Sequence, residues 1–200
     1  MTAFAELVPE GTEPPATVPA PVFEAALRAF LAQRRLDMQA LAADVGISRA
    51  TLYRRVGDRD RLLGAVIWYL TRHAIARAVD GTDELKGAER ILAVVERFMR
   101  DVQSQPALRR LLDAEPEAAL RILTSKRGPV QRGVIGVVQR LLEEERERGA
   151  LEPRMEATTL AYVIVRIGES FLYADVIAAA DPDVDQAVDV IGQLLSPSRP

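Results

Sequence analysis

The chain has 200 residues, of which 48% are hydrophobic, and a formal net charge of −3, so it is long and apolar enough for a sizeable core. It has no cysteine and one histidine, His73, which excludes a disulfide framework, a thiolate or histidine metal cage, and catalysis that needs two imidazoles. The longest apolar stretch is interrupted by Arg166, Glu169 and Asp175, and the N-terminus lacks the basic start of a secretory signal. We therefore expect no membrane span, no metal or other cofactor, and a cytoplasmic location.

The charge is unevenly distributed along the chain. Residues 22–62 carry eight arginines against five acidic residues, which gives +3 (8 − 5), whereas residues 1–20 give −3 and the remainder, with 18 basic and 21 acidic side chains, also gives −3. A basic segment on an acidic body is typical of a modular DNA-binding protein, because phosphates are attracted to one face and repelled by the rest. The same distribution can also arise by chance.

Apolar residues recur at helical spacing along the chain and no segment alternates with period two, so the sequence predicts an all-α fold. Residues 1–20 contain four prolines and little to bury, which predicts a disordered tail. Asp37, Ser48 and Asp58 are residue types that cap helix N-termini. The first predicted helix starts at Pro21, and two short helices start at Pro106 and Pro116. The other predicted helices cover about 38–45, 49–56, 59–79, 85–102, 130–148, 153–180 and 183–195. We expect a three-helix domain at 21–62 and a helical-bundle effector and dimerisation domain at 63–200.

Residues 38–63 have the pattern of a helix-turn-helix. Such a motif needs a small residue where the helices cross, a turn residue that tolerates positive φ, an apolar plug, a cap, and large apolar residues on the inner face of the second helix. The residues that meet these needs are Ala42, Gly46, Ile47, Ser48, Leu52 and Val56. The outward residues of the second helix are Arg49, Ala50, Thr51, Tyr53, Arg54 and Arg55. This surface fits a major groove, although an ordinary helical hairpin with a basic exposed face has the same pattern.

At these positions the sequence resembles the DNA-binding domain of the TetR/AcrR family of transcriptional regulators. The residues that carry the resemblance are Ala42, Gly46, Ser48, Thr51, Leu52, Tyr53, Val56, Gly57, Asp58, Arg59 and Leu62. Two features depart from the family pattern. The connector between Phe30 and Met38 is shorter than usual, and Val56 stands where a Phe is usual.

The resemblance implies roles for individual residues of this segment. Thr51 and Tyr53 are expected to contact phosphates, and Arg49 is expected to reach base edges. Arg59, which opens the next helix, is expected to bind a phosphate. Ala50 and Arg54 complete the expected DNA-binding set.

The C-terminal part of the chain contains candidate effector contacts. Tyr162, Arg166, Glu169 and Tyr173 follow at steps of four, three and four residues and share one helix face. Because charged groups in an apolar helix need partners, Arg166 and Glu169 form an ion pair, face a dimer partner, or line a pocket for a polar ligand head. The other candidates, which can equally be packing residues, are Trp68, Arg72, His73, Phe98 and Met99. Residues 166–175 resemble the QsdR-like branch of the family, which regulates degradation of quorum-signal lactones, and this implies a lactone effector.

The sequence therefore predicts a repressor that binds double-stranded operator DNA as a homodimer joined through helices 153–180 and 183–195. A small effector, mostly apolar with a polar head, would release it from the operator. We expect no enzymatic activity. Two other interpretations stay open: a helical-bundle enzyme or ligand carrier that binds no DNA, and a DNA-architectural or partner-binding protein without a small-molecule site.

Overall fold

The structure is a computed structural model that describes residues 18–126, 128–153 and 155–196. Over these residues it contains eleven helices and no strand, which confirms the predicted all-α fold. The helices are α1 (Ala20–Leu31), α2 (Met38–Asp44), α3 (Arg49–Val56), α4 (Arg59–Val79), α5 (Gly87–Gln103), α6 (Pro106–Ala114), α7 (Pro116–Thr124), α8 (Pro129–Glu147), α9 (Ala157–Leu172), α10 (Ala174–Ala178) and α11 (Val184–Leu195).

The described chain divides into two compact units. The first unit comprises residues 18–73 and 105–131, and the second comprises 74–104 and 132–196. The helices α4 and α8 each contribute residues to both units. The first unit thus joins the predicted helix-turn-helix to α6 and α7, which lie far away in the sequence. Most of the tail expected to be disordered, residues 1–17, lies outside the described residues.

The first unit is built on the amphipathic helix α1. Pro21 lies in its first turn, where a missing N–H costs nothing, and the helix buries its apolar face through Val22, Phe23, Ala26 and Phe30. Within this unit α1 packs against α2, α2 against α3, and α6 against α7. The largest fully buried side chains here include Phe23, Leu52, Leu62, Leu63 and Leu112. Burial of each such side chain stabilises the unit by about 1.5–3 kcal/mol.

The second unit is a helical bundle in which α9 and α5 both pack against α11. At two glycines an added Cβ would make only ordinary van der Waals contact: at Gly168 it would lie 3.7 Å from the Met99 sulfur, and at Gly192 it would lie 3.5 Å from a Leu92 methyl. At one end Gly87 has a positive φ of 57°, and a Cβ there would lie 2.3 Å from the carbonyl oxygen of Ala150. Only glycine therefore fits where α5 begins.

The single helix predicted for residues 153–180 was wrong, whereas the other predicted helices are confirmed to within a few residues. The chain stays extended at Glu156, whose ψ is 138°, so α9 starts only at Ala157. Tyr173 then leaves helical geometry, with φ −113° and ψ 23°, and its ring is buried at the break before α10. No helix in the described part of the chain is long and apolar enough to cross a membrane.

Candidate nucleic-acid interface

Two side-chain caps and one glycine turn fix the geometry of α2 and α3. The Asp37 carboxylate accepts hydrogen bonds from the backbone N–H groups of Gln39 and Ala40, at 2.7 and 2.8 Å. The bond from Ala40, followed by the weaker effect of the bond from Gln39, holds the pKa of Asp37 below its ordinary value. The turn residue Gly46 has φ +68°, and the Ser48 hydroxyl accepts from the Thr51 N–H at 3.2 Å. The helix-turn-helix and its capping residues are thus confirmed.

The helix α3 has one buried and one exposed face. Its inner residues Leu52 and Val56 are buried. The outward residues Arg49, Ala50, Tyr53, Arg54 and Arg55 are all exposed. Tyr53 is 42% exposed. Thr51 is half-buried because it takes part in the Ser48 cap.

The exposed face of α3 carries positive charge that no ion pair with a described residue balances. Arg49, Arg54 and Arg55 form no ion pair with any described residue, and α3 contains no acidic side chain. Arg49 interacts electrostatically with Asp37, but no ion pair with a described residue neutralises any of the three positive charges on these eight residues of helix. A cationic helix face with an exposed tyrosine can contact the phosphate backbones on both sides of a major groove and reach the base edges between them.

A second glycine sets the angle between α3 and the helix that follows. Gly57 ends α3 with φ 79° and ψ −127°, a backbone conformation that is essentially restricted to glycine. The carboxylate of Asp58 then accepts from the Arg61 N–H at 2.7 Å and caps α4. The recognition helix and α4 are consequently joined by only two residues of defined geometry.

Arg59 has protein partners at the position where a phosphate contact was expected. Its guanidinium donates to both carboxylate oxygens of Glu115, at 2.9 and 2.7 Å, and to the Leu36 carbonyl at 2.9 Å. The Arg59 and Glu115 side chains are each only 20% exposed. The next residue, Asp60, pairs with Arg121 at 2.6 Å. Arg59 therefore connects α4 to α7 and to the connector before α2, and a phosphate would have to compete with Glu115 for it.

Three candidate effector residues lie on α4 in the first unit. Trp68 and His73 are half-buried, and Arg72 is 7% exposed. Tyr69 connects them: its ring contacts Phe23 edge-on at 5.2 Å and His73 at 4.7 Å, and the Arg72 guanidinium lies 5.9 Å from its centroid. Burial lowers the pKa of Arg72, and the nearby phenol opposes that shift. This aromatic cluster links α4 directly to α1.

The other six candidate effector residues lie in the second unit and do not share one environment. Met99 is buried against Gly168, and Phe98 is half-buried. Tyr173 is buried, and desolvation, with the Glu169 charge second, raises its pKa. In contrast, Tyr162 is 52% exposed. Arg166 forms an ion pair with Glu169 of the same chain, which is the first of the three arrangements considered for these two residues.

An open surface groove of about 360 Å³ is lined by Arg146, Glu152, Pro153, Met155 and Glu156, none of which was expected to bind an effector. No group of three His, Cys, Asp or Glu side chains in the described ranges could hold a metal ion.

Comparison with known proteins places these features in a family. Residues 86–196 match the family model of the tetracyclin repressor-like C-terminal domain. No curated protein matches the sequence. The structure is similar to that of the TetR-family transcriptional repressor QsdR from R. erythropolis, with a TM-score of 0.81 and 32% identity over 90% of this chain and 94% of that one.

Further solved structures share the fold at lower identity. The TetR-family repressor AlkX from Dietzia sp. strain DQ12-45-1b, implicated in biodegradation of n-alkanes, is 27% identical with a TM-score of 0.60, over 88% of this chain and 93% of AlkX. The regulator FadR from Bacillus subtilis, solved with stearoyl-CoA, is 13% identical with a TM-score of 0.54, over 88% of this chain and 96% of FadR, and shares the fold alone.

Proposed function

The chain belongs to the TetR family of DNA-binding, ligand-responsive transcriptional regulators, and from this we propose that it is a repressor that a small effector releases from its operator. The observation that carries the proposal is the exposed face of α3, where Arg49, Arg54 and Arg55 form no ion pair with a described residue. Such a cationic face attracts a polyanion such as the DNA backbone. It supports operator binding over a helical-bundle enzyme or ligand carrier.

We assign the contacts on α3 by their position along the helix. Arg49 and Ala50, at the N-terminal end, are proposed to reach base edges, because recognition helices enter the groove with that end. Thr51, Tyr53 and Arg54 are proposed to contact phosphates. The arginine side chain suits bidentate recognition of guanine as well as of phosphate.

We further propose that the repressor is a homodimer joined through α9 and α11. These two helices pack against each other, and α9 exposes Tyr162 and Arg166 on one face. Two copies of that face would form a four-helix interface with twofold symmetry. The recognition helices of such a dimer would be about 34 Å apart and would read half-sites in successive major grooves.

The proposed effector is a small molecule that is mostly apolar with a polar head, with a lactone as the first candidate. The similarity to QsdR supports this class, and the candidate contacts are mainly aromatic or apolar. The helix α4 begins after the two residues that follow the recognition helix, and it continues for 21 residues without a break. This is a span of about 30 Å. An effector acts through this helix only if it binds the DNA-incompetent conformation more tightly than the DNA-bound one.

The test starts from a random duplex library, from which the purified protein selects its operator. Fluorescence anisotropy then measures binding of that duplex with and without an acyl-chain lactone, and the ring-opened acid of the same compound is the matched control. We expect the selected duplex to bind at least about 10³-fold more tightly than an unrelated one. The lactone should weaken operator binding by about 5- to 150-fold, the usual range of allosteric coupling, and the acid should not.

Each part of the proposal can fail separately in this test. If no duplex is enriched, operator binding through α3 is wrong. If a duplex is enriched but neither compound weakens its binding, operator binding stands and the lactone class is wrong.

A further inference from the structure

A second group of arginines lies outside the recognition helix but in the same unit. Arg34 and Arg35 are in the connector between α1 and α2, and Arg110 is on α6. Their side chains line one small cleft of about 20 Å³, together with Leu36, Arg59 and Glu115 among others. We call Arg34, Arg35 and Arg110 the connector patch. Arg110 is far from the other two arginines in the sequence, and the fold brings it to the same cleft.

The connector patch has an excess of positive charge that the described chain does not neutralise. Arg34 and Arg110 are exposed and form no ion pair with a described residue. The acidic residue nearest to Arg110 in sequence, Asp113, pairs with Arg109 at 3.3 Å. Neighbouring acids on α6 are therefore not available to Arg110.

Glu115 is the one acidic side chain that lines the cleft, and it is already occupied. Both of its oxygens accept hydrogen bonds from Arg59. Arg35 lies 3.5 Å from the same carboxylate but is 76% exposed. Four arginines against one carboxylate leave the cleft with a charge of +3 (4 − 1).

The connector patch adjoins the helix-turn-helix in the chain. The Leu36 carbonyl at the cleft is followed directly by Asp37, which caps α2. Asp37 lies within electrostatic reach of both Arg35 and Arg49, and both charges favour its ionised form. Arg35 and Arg49, the first residue of the recognition helix, thus both act electrostatically on the same carboxylate.

We propose that the connector patch binds backbone phosphates of the operator outside the base pairs that α3 reads. This rests on the proposed operator binding and adds a contact surface to it. Guanidinium groups bind phosphate oxygens in a bidentate manner, and a cleft of this volume is large enough for a single oxygen atom. The contact depends on charge and carries no sequence information, so it strengthens binding to every duplex alike.

The test compares the wild type with Arg34→Ala/Arg110→Ala, and with Arg146→Ala, an exposed arginine of the second unit, as control. Binding is measured by anisotropy from 50 to 300 mM salt on the selected operator extended by ten base pairs on each side. Each lost phosphate contact reduces the slope of log affinity against log salt by about 0.9. Because the proposed dimer carries the patch twice, the double variant removes four phosphate contacts, and we expect it to lose about 3.6 units of slope (4 × 0.9) and about 100- to 4,000-fold in affinity near 100 mM salt. Arg146→Ala should match the wild type.

A shortened duplex distinguishes flanking contacts from an indirect effect. On an operator trimmed to the base pairs that α3 reads, wild type and double variant should bind alike, and their thermal midpoints should agree. Equal slopes on the long duplex would overturn the proposal while leaving operator binding intact. A loss that is equally large on the trimmed duplex would also overturn it, because the effect would then come from α3. If the wild type binds no duplex, operator binding itself fails.

Discussion

The guanidinium of Arg59 and the carboxylate of Glu115 are joined by two hydrogen bonds of 2.9 and 2.7 Å, although 56 residues separate them in the chain. This pair fixes the first turn of α4, two residues after the recognition helix ends, to the start of α7. The same end of α4 is also tied to α7 through Asp60 and Arg121. The orientation of the recognition helix therefore depends on α7 as well as on its own turn.

Arg59→Ala should mainly cost stability. Loss of the largely buried pair and of the bond to the Leu36 carbonyl is expected to destabilise the protein by about 1–3 kcal/mol, or several degrees in thermal midpoint. The salt slope of DNA binding should change little, since the arginine is engaged internally. A drop of about two units in that slope, one for each protomer of the proposed dimer, with an unchanged midpoint would instead show that Arg59 binds phosphate, as the family resemblance implies.

Gly57→Ala should damage both stability and DNA binding. The backbone at Gly57 has φ 79° and ψ −127°, and an added Cβ would lie 3.0 Å from Cδ of Arg61. We expect a loss of about 1–3 kcal/mol in unfolding free energy and weaker operator binding, because the angle between α3 and α4 must change. Gly136→Ala is the control: a Cβ there meets only an Arg140 nitrogen at 3.7 Å, and the helix should gain up to about 1 kcal/mol.

Glu145→Gln should show what the buried ion pair of the second unit contributes. Glu145 and Arg90 are both fully buried and bond at 2.7 Å, and Glu145 also accepts the Gly87 N–H at 2.7 Å. Burial by itself would raise the pKa of Glu145, but the Gly87 and Arg90 hydrogen bonds bring it below its ordinary value of 4.5. Removing one partner of a buried pair is expected to cost about 3–5 kcal/mol.

The pH dependence of that loss has a definite sign. A carboxylate with a lowered pKa stabilises the fold above about pH 4.5, and this contribution disappears as the pH falls through the folded-state pKa. The stability difference between wild type and Glu145→Gln should therefore be largest near pH 7 and shrink in acid. Thermal unfolding from pH 7 to pH 3 checks this, with the exposed Glu147→Gln as control. A constant difference across that range would contradict the ion-pair account.

Tyr162→Glu should dissociate the proposed homodimer. Tyr162 is 52% exposed on α9, and in the proposed interface the added carboxylate would be buried beside the Arg166–Glu169 pair without a partner of its own, which is strongly unfavourable. Light scattering at micromolar concentration should give a dimer for the wild type and for Tyr162→Phe, and a monomer for Tyr162→Glu. If the glutamate variant remains a dimer, this face is not the interface.

Local rules predicted most of the fold and the centre of the candidate site. Ser48 and Asp37 cap helices through bonds to residues two or three positions away, and Gly46 makes its turn within the same stretch, so the sequence pattern contains the whole interaction. Long-range contacts were not predictable in this way. Nothing near Arg59 indicates that Glu115 will occupy it, and nothing near Arg110 indicates that Arg34 will be its neighbour. The break at Tyr173 was missed because no proline interrupts the apolar run between residues 157 and 178.

The measurement that tests the account most directly is base discrimination by Arg49→Ala on the selected operator and its single-base variants. Arg49 is exposed at the start of α3 and forms no ion pair with a described residue. The account predicts that the variant loses about 1–3 kcal/mol of specific binding, and that discrimination relaxes at one position in each half-site and nowhere else. Unchanged discrimination at every position, with the same affinity as the wild type, would contradict the claim that α3 reads DNA with this face.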